Sequence, residues 1–269
     1  VCRSGRENVS EKTNESEPKN FASKTPENNK TNSKFKDEGD FLVEYIELKN
    51  PKYERIANQV KQEKLLEDAA ERLNKALILP YDISLRAKDC EEVNALYNPN
   101  DHSITVCYEL MEHFYKTFKN AGRSEETASQ NMFDSVRFVF LHELGHALID
   151  AYQLPITGNE EDAADRLSSY ICLEELGDIG VRSAIAISDE FAIETKQNPS
   201  RKQDFYDEHL LEEQRLYNIL CMIYGSDKEK HKEIVENGHL PRERAKRCES
   251  EYEKTSQSWK NLLKPYRKN

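Results

Sequence analysis

A chain of 269 residues with a formal net charge of −11 lacks the surplus of Lys and Arg that phosphate binding needs, so nucleic acid is not expected as a partner. Hydrophobic residues at 37% against charged residues at 33% sustain one core of about 200 residues with a tail, or two small domains. No apolar run reaches the roughly 18 residues of a membrane span. The six cysteines (Cys2, Cys90, Cys107, Cys172, Cys221 and Cys248) contain no CxxC pair, which argues against a cysteine zinc knuckle.

Residues 1–36 are rich in Ser, Thr, Asn, Glu, Lys and Pro and nearly free of aliphatics. Such a segment buries too little apolar surface to offset its ordering entropy, and a disordered tail is expected. A sharper reading makes Cys2 a lipidated anchor and the tail its tether, although Val1 is a poor residue ahead of a lipidated cysteine. The absent initiator methionine and the candidate cysteine pairings favour an exported protein, periplasmic or extracellular. The folded domain is expected over 37–269, with a C-terminal helical part from about 200.

"FLVEYIEL", from Phe41, predicts a strand. "ERIANQVKQEKLLEDAAERLNKAL" spaces Ile56, Val60, Leu65, Ala69, Leu73 and Leu77 for one helix. "YDISLRAKDC" predicts a second strand. "EVNALYNPNDHSITVCYEL" predicts a hairpin around Asn98-Pro99-Asn100-Asp101. Cys90 and Cys107 are expected near each other on opposite arms of that hairpin, as a disulfide or as two small buried hydrophobes. Helices are expected over 109–120, 126–152, 159–176, 181–197, 204–223, 228–236 and 252–263, with Pro155 and Gly158 breaking the second from the third. The class is α+β: a mostly helical domain with a small sheet on its N-terminal side.

The predicted helix "MFDSVRFVFLHELGHALIDAY" is apolar on one side and free of proline. It sets His142 and His146 four residues apart, so both rings leave one face about one turn apart and can reach one metal ion. Glu143, beside the first histidine, suits a proton acceptor for water at that metal; this is the HExxH arrangement of zinc hydrolases. Gly145 leaves room for something to approach closely. The bland alternative is a partly exposed helix whose two histidines only form hydrogen bonds. A catalytic zinc also needs a third protein ligand. In "GNEEDAADRLSSY", Glu161 can supply it, and Asp165 one turn on can accept the free N–H of a ligand histidine and fix its tautomer. Glu160 is the rival third ligand, and a solvated acidic helix start is the structural alternative. Asp150, one turn beyond His146, either orients that histidine or ends the helix at the surface.

"HELGH" followed by "EDAAD" resembles the HExxH plus ExxxD pattern of zinc metallopeptidases whose third ligand is a glutamate. The stretches "EVNALYNPNDHSITVCYEL", "HELGHALID", "GNEEDAADRLSSY", "DEHLLEEQRLYNILCMIYGSD" and "LPRERAKRCESEYEKTSQSW" resemble a bacterial metallopeptidase family of unknown function, over about residues 40–265. The resemblance implies a zincin-like fold with HExxH on a central helix, one zinc ion on His142, His146 and Glu161, and Glu143 as the catalytic acid. No established substrate comes with it.

Two imidazoles and a carboxylate would leave zinc an open position for water, whose pKa falls from about 15.7 to about 7 there; Glu143 would take the proton and pass it to the leaving amine. Peptide substrates usually bind such sites extended along a sheet edge, here "SITVCYEL" or "EVNALY". "FYDEHLLEEQRLYNILC" offers Asp207, His209, Arg215 and Tyr217 as further donors, and His209 is the first choice to face the developing oxyanion; a helix-surface histidine is the plainer reading. His102, His113, His231 and His239 fall to turns and surfaces. Cys221 and Cys248 either bridge or stay reduced in the core, Cys172 has no expected partner, and Tyr252 with Trp259 reads as core packing. The rival to a zinc metallopeptidase is an inactive zincin-fold binding module, or a structural zinc module of the bacterial envelope.

Overall fold

The computed structural model describes residues 35–197 and 209–268. The expected tail up to residue 34, the Cys2 anchor, Asp207 and the start of the 204–223 helix lie outside the described residues. Phe35, inside the expected tail, packs its ring on Tyr266 at 4.5 Å.

Four strands form one mixed sheet in the order β1-β2-β4-β3. Strands β1 (Phe41–Tyr45), β2 (Ile83–Lys88) and β4 (Ser103–Cys107) run parallel, and β3 (Ala95–Asn98) pairs antiparallel with β4. In β2 the alternation of the sequence becomes alternation of burial: Ile83, Leu85 and Ala87 are buried while Ser84, Arg86 and Lys88 are not. β4 is buried along its whole length, because α4 and α3 pack against it as well as its two neighbouring strands. The expected hairpin is β3–β4, so "SITVCYEL" is internal and only "EVNALY" lies at an edge.

The predicted helix after β1 is two helices, α1 (Glu54–Gln62) and α2 (Leu65–Ala76), broken at Lys64 in the left-handed region (φ 50°). No glycine or proline marks this break. Its cause is packing: α1 buries Ala57 and Val60 and lies against α3 (Tyr108–Asn120), while α2 buries Leu66 and Ala70 and lies against β1 and β2. One straight rod cannot serve both.

The central helix α4 (Glu125–Tyr152) begins where Ser124 Oγ accepts the backbone N–H of Thr127 at 3.1 Å. It is apolar all round rather than on one side, because α3, α5 (Glu160–Glu174), α6 (Gly177–Gln197) and the β3–β4 hairpin enclose it. α7 (Glu212–Ser226) starts later than expected, with the Gln214 side chain accepting the Leu211 N–H at 3.2 Å. Of the expected 228–236 helix only α8 (Glu233–Glu236) forms; a turn in which Asp227 accepts the Lys230 N–H precedes it. α9 (Arg242–Ala245) and α10 (Cys248–Leu263) close the chain, and α10 starts four residues before its expected position.

Two disulfides staple these elements. Cys90–Cys107 has its Cα atoms 5.5 Å apart, but Cys90 does not lie on a hairpin arm: it follows β2, whose Lys88 is the register partner of Cys107. Cys221–Cys248 joins α7 to the first residue of α10. Cys172 is a buried free thiol, and burial pushes its pKa up to about 12, which keeps it protonated and unreactive. Trp259 is core. His231, expected at the surface, is buried, and His113 is half-buried against α6.

Candidate metal centre

α4 carries His142, Glu143 and His146, and α5 crosses it with Glu160, Glu161 and Asp165. The crossing is close because Gly145 faces Ala164: a Cβ built on Gly145 would stand 2.9 Å from Ala164 Cα. Asn159 starts α5 by accepting the backbone N–H groups of Glu161 and Asp162 on its Oδ1, which sets the first turn of acids against the α4 histidines.

Donor atoms of three residues converge. His142 Nε2 lies 3.2 Å from His146 Nε2 and 3.1 Å from Glu161 Oε2, and His146 Nε2 lies 3.4 Å from Glu161 Oε1. His142, Glu143, Glu161 and Asp165 are all buried; His146 and His209 are the more open side of the cluster.

The outer nitrogens fix the tautomers. Arg215 donates to both oxygens of Asp165, at 2.7 and 2.8 Å, and Asp165 Oδ1 also lies 2.8 Å from His142 Nδ1. Burial alone would raise the Asp165 pKa, but Arg215 and His142 hold it well below the usual carboxylate range. A charged carboxylate only accepts, so His142 Nδ1 carries the proton and Nε2 presents a lone pair. His146 Nδ1 stands in the same relation to Glu160 Oε1 at 2.8 Å. Two bare nitrogens and a carboxylate at 3.1–3.4 Å repel one another unless a cation lies between them. The electrostatics point the same way: burial would lower the His146 pKa, yet Glu160 and Glu161 raise it to about 10. Burial would raise Glu161, yet His142, His146 and His209 hold it far below the ordinary range. With one guanidinium among four carboxylates, the donor set fits a divalent cation.

Glu143 is held differently. Its Oε2 accepts the backbone N–H of Tyr97 on edge strand β3 at 2.7 Å, and its buried Oε1 has no hydrogen-bond partner among the described residues. Asp150 does not meet His146; its Oδ2 accepts the Tyr97 hydroxyl at 2.8 Å, and Glu160 takes the place beside His146. His209 Nε2 lies 3.0 Å from Glu161 Oε2, beside the donor cluster rather than apart from it. Neither Arg215, one of four polar candidates in its stretch, nor Glu160, the rival ligand, carries a local sequence signal for the partner it takes. A cavity of about 520 Å³ lined by Phe133, Arg137 and Phe140 opens on another face of α4 and contains none of these residues.

The fold and the donor cluster define a mostly helical α+β protein with a His-His-Glu cluster that could hold a metal ion at the crossing of two helices. Residues 45–263 match the family described as "Putative metallopeptidase", and the chain belongs to that family. No curated protein and no solved structure matches the chain.

Proposed function

We propose that the protein is a zincin-like, zinc-dependent metallopeptidase that hydrolyses peptide bonds, with His142, His146 and Glu161 as zinc ligands and Glu143 as the catalytic acid–base. The observation that carries this reading is the convergence of three cation-seeking side chains beside a buried carboxylate whose Oε1 has no hydrogen-bond partner among the described residues. Zinc there would supply Lewis acidity and make water a nucleophile near neutral pH. Glu143 Oε1 takes the proton of the attacking water and delivers it to the leaving amine, while Tyr97 N–H keeps Oε2 in place. Asp165 and Glu160 hold the two ligand imidazoles in the tautomer that presents Nε2.

An extended peptide binds along edge strand β3, whose Tyr97 N–H already turns towards Glu143. Ala95→Pro should therefore raise KM; an unchanged KM in a folded variant removes this binding mode. The domain is 37–269. The two disulfides favour an exported protein, and no helix among the described residues is long and apolar enough to cross a membrane.

Glu143→Gln should retain metal and lower peptide hydrolysis by about 10²–10⁴-fold. A binding module would be indifferent to that change, and equal turnover in both proteins would reject the peptidase reading. The position of His209 supports a second reading. As an oxyanion donor it would lower kcat when replaced by Ala, with zinc retained; as a fourth ligand it would close the site, and His209→Ala would weaken zinc binding.

A further inference from the structure

α3 and α6 face each other with paired residues at helical spacing: His113 and Thr117 on one, Glu190 and Glu194 on the other. His113 Nε2 lies 3.5 Å from Glu190 Oε1 and 3.5 Å from Glu194 Oε1. Those separations are long for hydrogen bonds, which fall at about 2.7–3.2 Å. They match the distance between two donors that share one ion: with bonds of about 2.0–2.2 Å in a tetrahedron, the donors stand roughly 3.3–3.6 Å apart. Donor spacings in the His142, His146 and Glu161 cluster lie in a similar range, at 3.1–3.4 Å.

Burial adds a second argument. Glu190 is only 3% exposed, and the one donor that reaches it among the described residues is His113 at 3.5 Å. A buried carboxylate normally has several close donors. A second carboxylate, Glu194, also approaches that imidazole, and Thr117 Oγ1 donates to its Oε1 at 3.2 Å. Glu212 stands near as well; burial and the charges of Glu190 and Glu194 raise its pKa. Three carboxylates thus stand around a half-buried imidazole that is open enough for an ion and its waters to reach.

We propose that His113, Glu190 and Glu194 form a second divalent-cation site, separate from the α4–α5 centre, that joins α3 to α6. One imidazole with two carboxylates suits a first-row ion such as zinc or manganese; calcium, which takes oxygen ligands, would leave the imidazole unused. The site is structural. Glu190 adjoins Phe191, whose ring lies 4.7 Å from the Arg215 guanidinium, and Arg215 holds Asp165. An ion between α3 and α6 therefore fixes the helix on which Arg215 rests.

Zinc bound per chain after equilibrium dialysis against free zinc tests this on the full protein. The wild type should take up about two ions, and His113→Ala and Glu190→Gln about one each. His146→Ala should also retain about one ion, and His113→Ala with His146→Ala about none. Circular dichroism of each variant reports folding, and Glu194→Gln serves in place of any variant that does not fold. Equal zinc in the wild type, His113→Ala and Glu190→Gln overturns the proposal and leaves an ordinary His–Glu ion pair. If instead the ion that depends on His146 is the one missing, the α4–α5 reading fails and this site stands.

Discussion

Arg215 is the residue whose removal tests the site most severely. The residue is 7% exposed and its partner Asp165 is 6% exposed, and the two share two charge-assisted hydrogen bonds of 2.7 and 2.8 Å. Arg215→Met keeps an apolar side chain against Phe191 and removes the fork. Charge-assisted bonds of this kind contribute about 1.5–3 kcal/mol each, so their loss is on the order of 3–6 kcal/mol. Breaking a buried ion pair by deleting one partner costs about 3–5 kcal/mol, which agrees. The effect depends on pH with a fixed sign. Asp165 has a folded pKa below its unfolded value of about 3.9, so its stabilisation is complete above that value and is lost as pH falls through the folded one. Urea unfolding of chelator-treated protein at pH 7 should therefore show the full loss, and the difference from wild type should shrink towards acid pH. Adding Asp165→Asn removes the stranded charge and should leave the double variant at least about 2 kcal/mol more stable than the two single losses added together. A single loss below about 1 kcal/mol, or strict additivity, would refute the view that this pair is what fixes His142.

Gly145→Ala separates helix stability from metal affinity. Alanine raises helix propensity by about 1 kcal/mol over glycine, but its Cβ must push Ala164 away and carry Glu161 with it. Tm should change little while zinc affinity, measured by competition with a chelating dye, falls about tenfold or more; unchanged affinity would mean that the close crossing is not needed. Replacing both Cys221 and Cys248 with Ala opens the link between α7 and α10 and should cost about 3 kcal/mol in urea unfolding, for a closed loop with a separation of 27 residues. The same change at Cys90 and Cys107, separated by 17 residues, should cost about as much, and a loss under about 1 kcal/mol in either pair would show that its bridge adds no net stability.

What the sequence reveals of this site follows the distance over which each signal acts. The pairs at helical spacing, His142 with His146 and Glu161 with Asp165, are legible because one helix fixes both members, whatever surrounds it. The break at Lys64 is not, because every residue near it favours a helix and only the diverging packing of α1 and α2 forces the turn. The partners of the histidines divide in the same way. His146 faces Glu160, the residue beside the third donor, and not Asp150, its own neighbour one turn on. The direction in which α5 crosses α4 decides this, and that depends on the contact between Gly145 and Ala164. Arg215 lies farther still, on a helix that begins 47 residues after Asp165 and 15 residues past the end of α6. Nothing local distinguishes it from Asp207 or Tyr217 in the same stretch. The pairing is set by α6, whose Phe191 gives the guanidinium a ring to lie on while the fork reaches Asp165. A metal centre of this kind is therefore announced by its ligands, but the tautomers and charge that would make those ligands bind are fixed by tertiary contacts that a single sequence carries only in pieces.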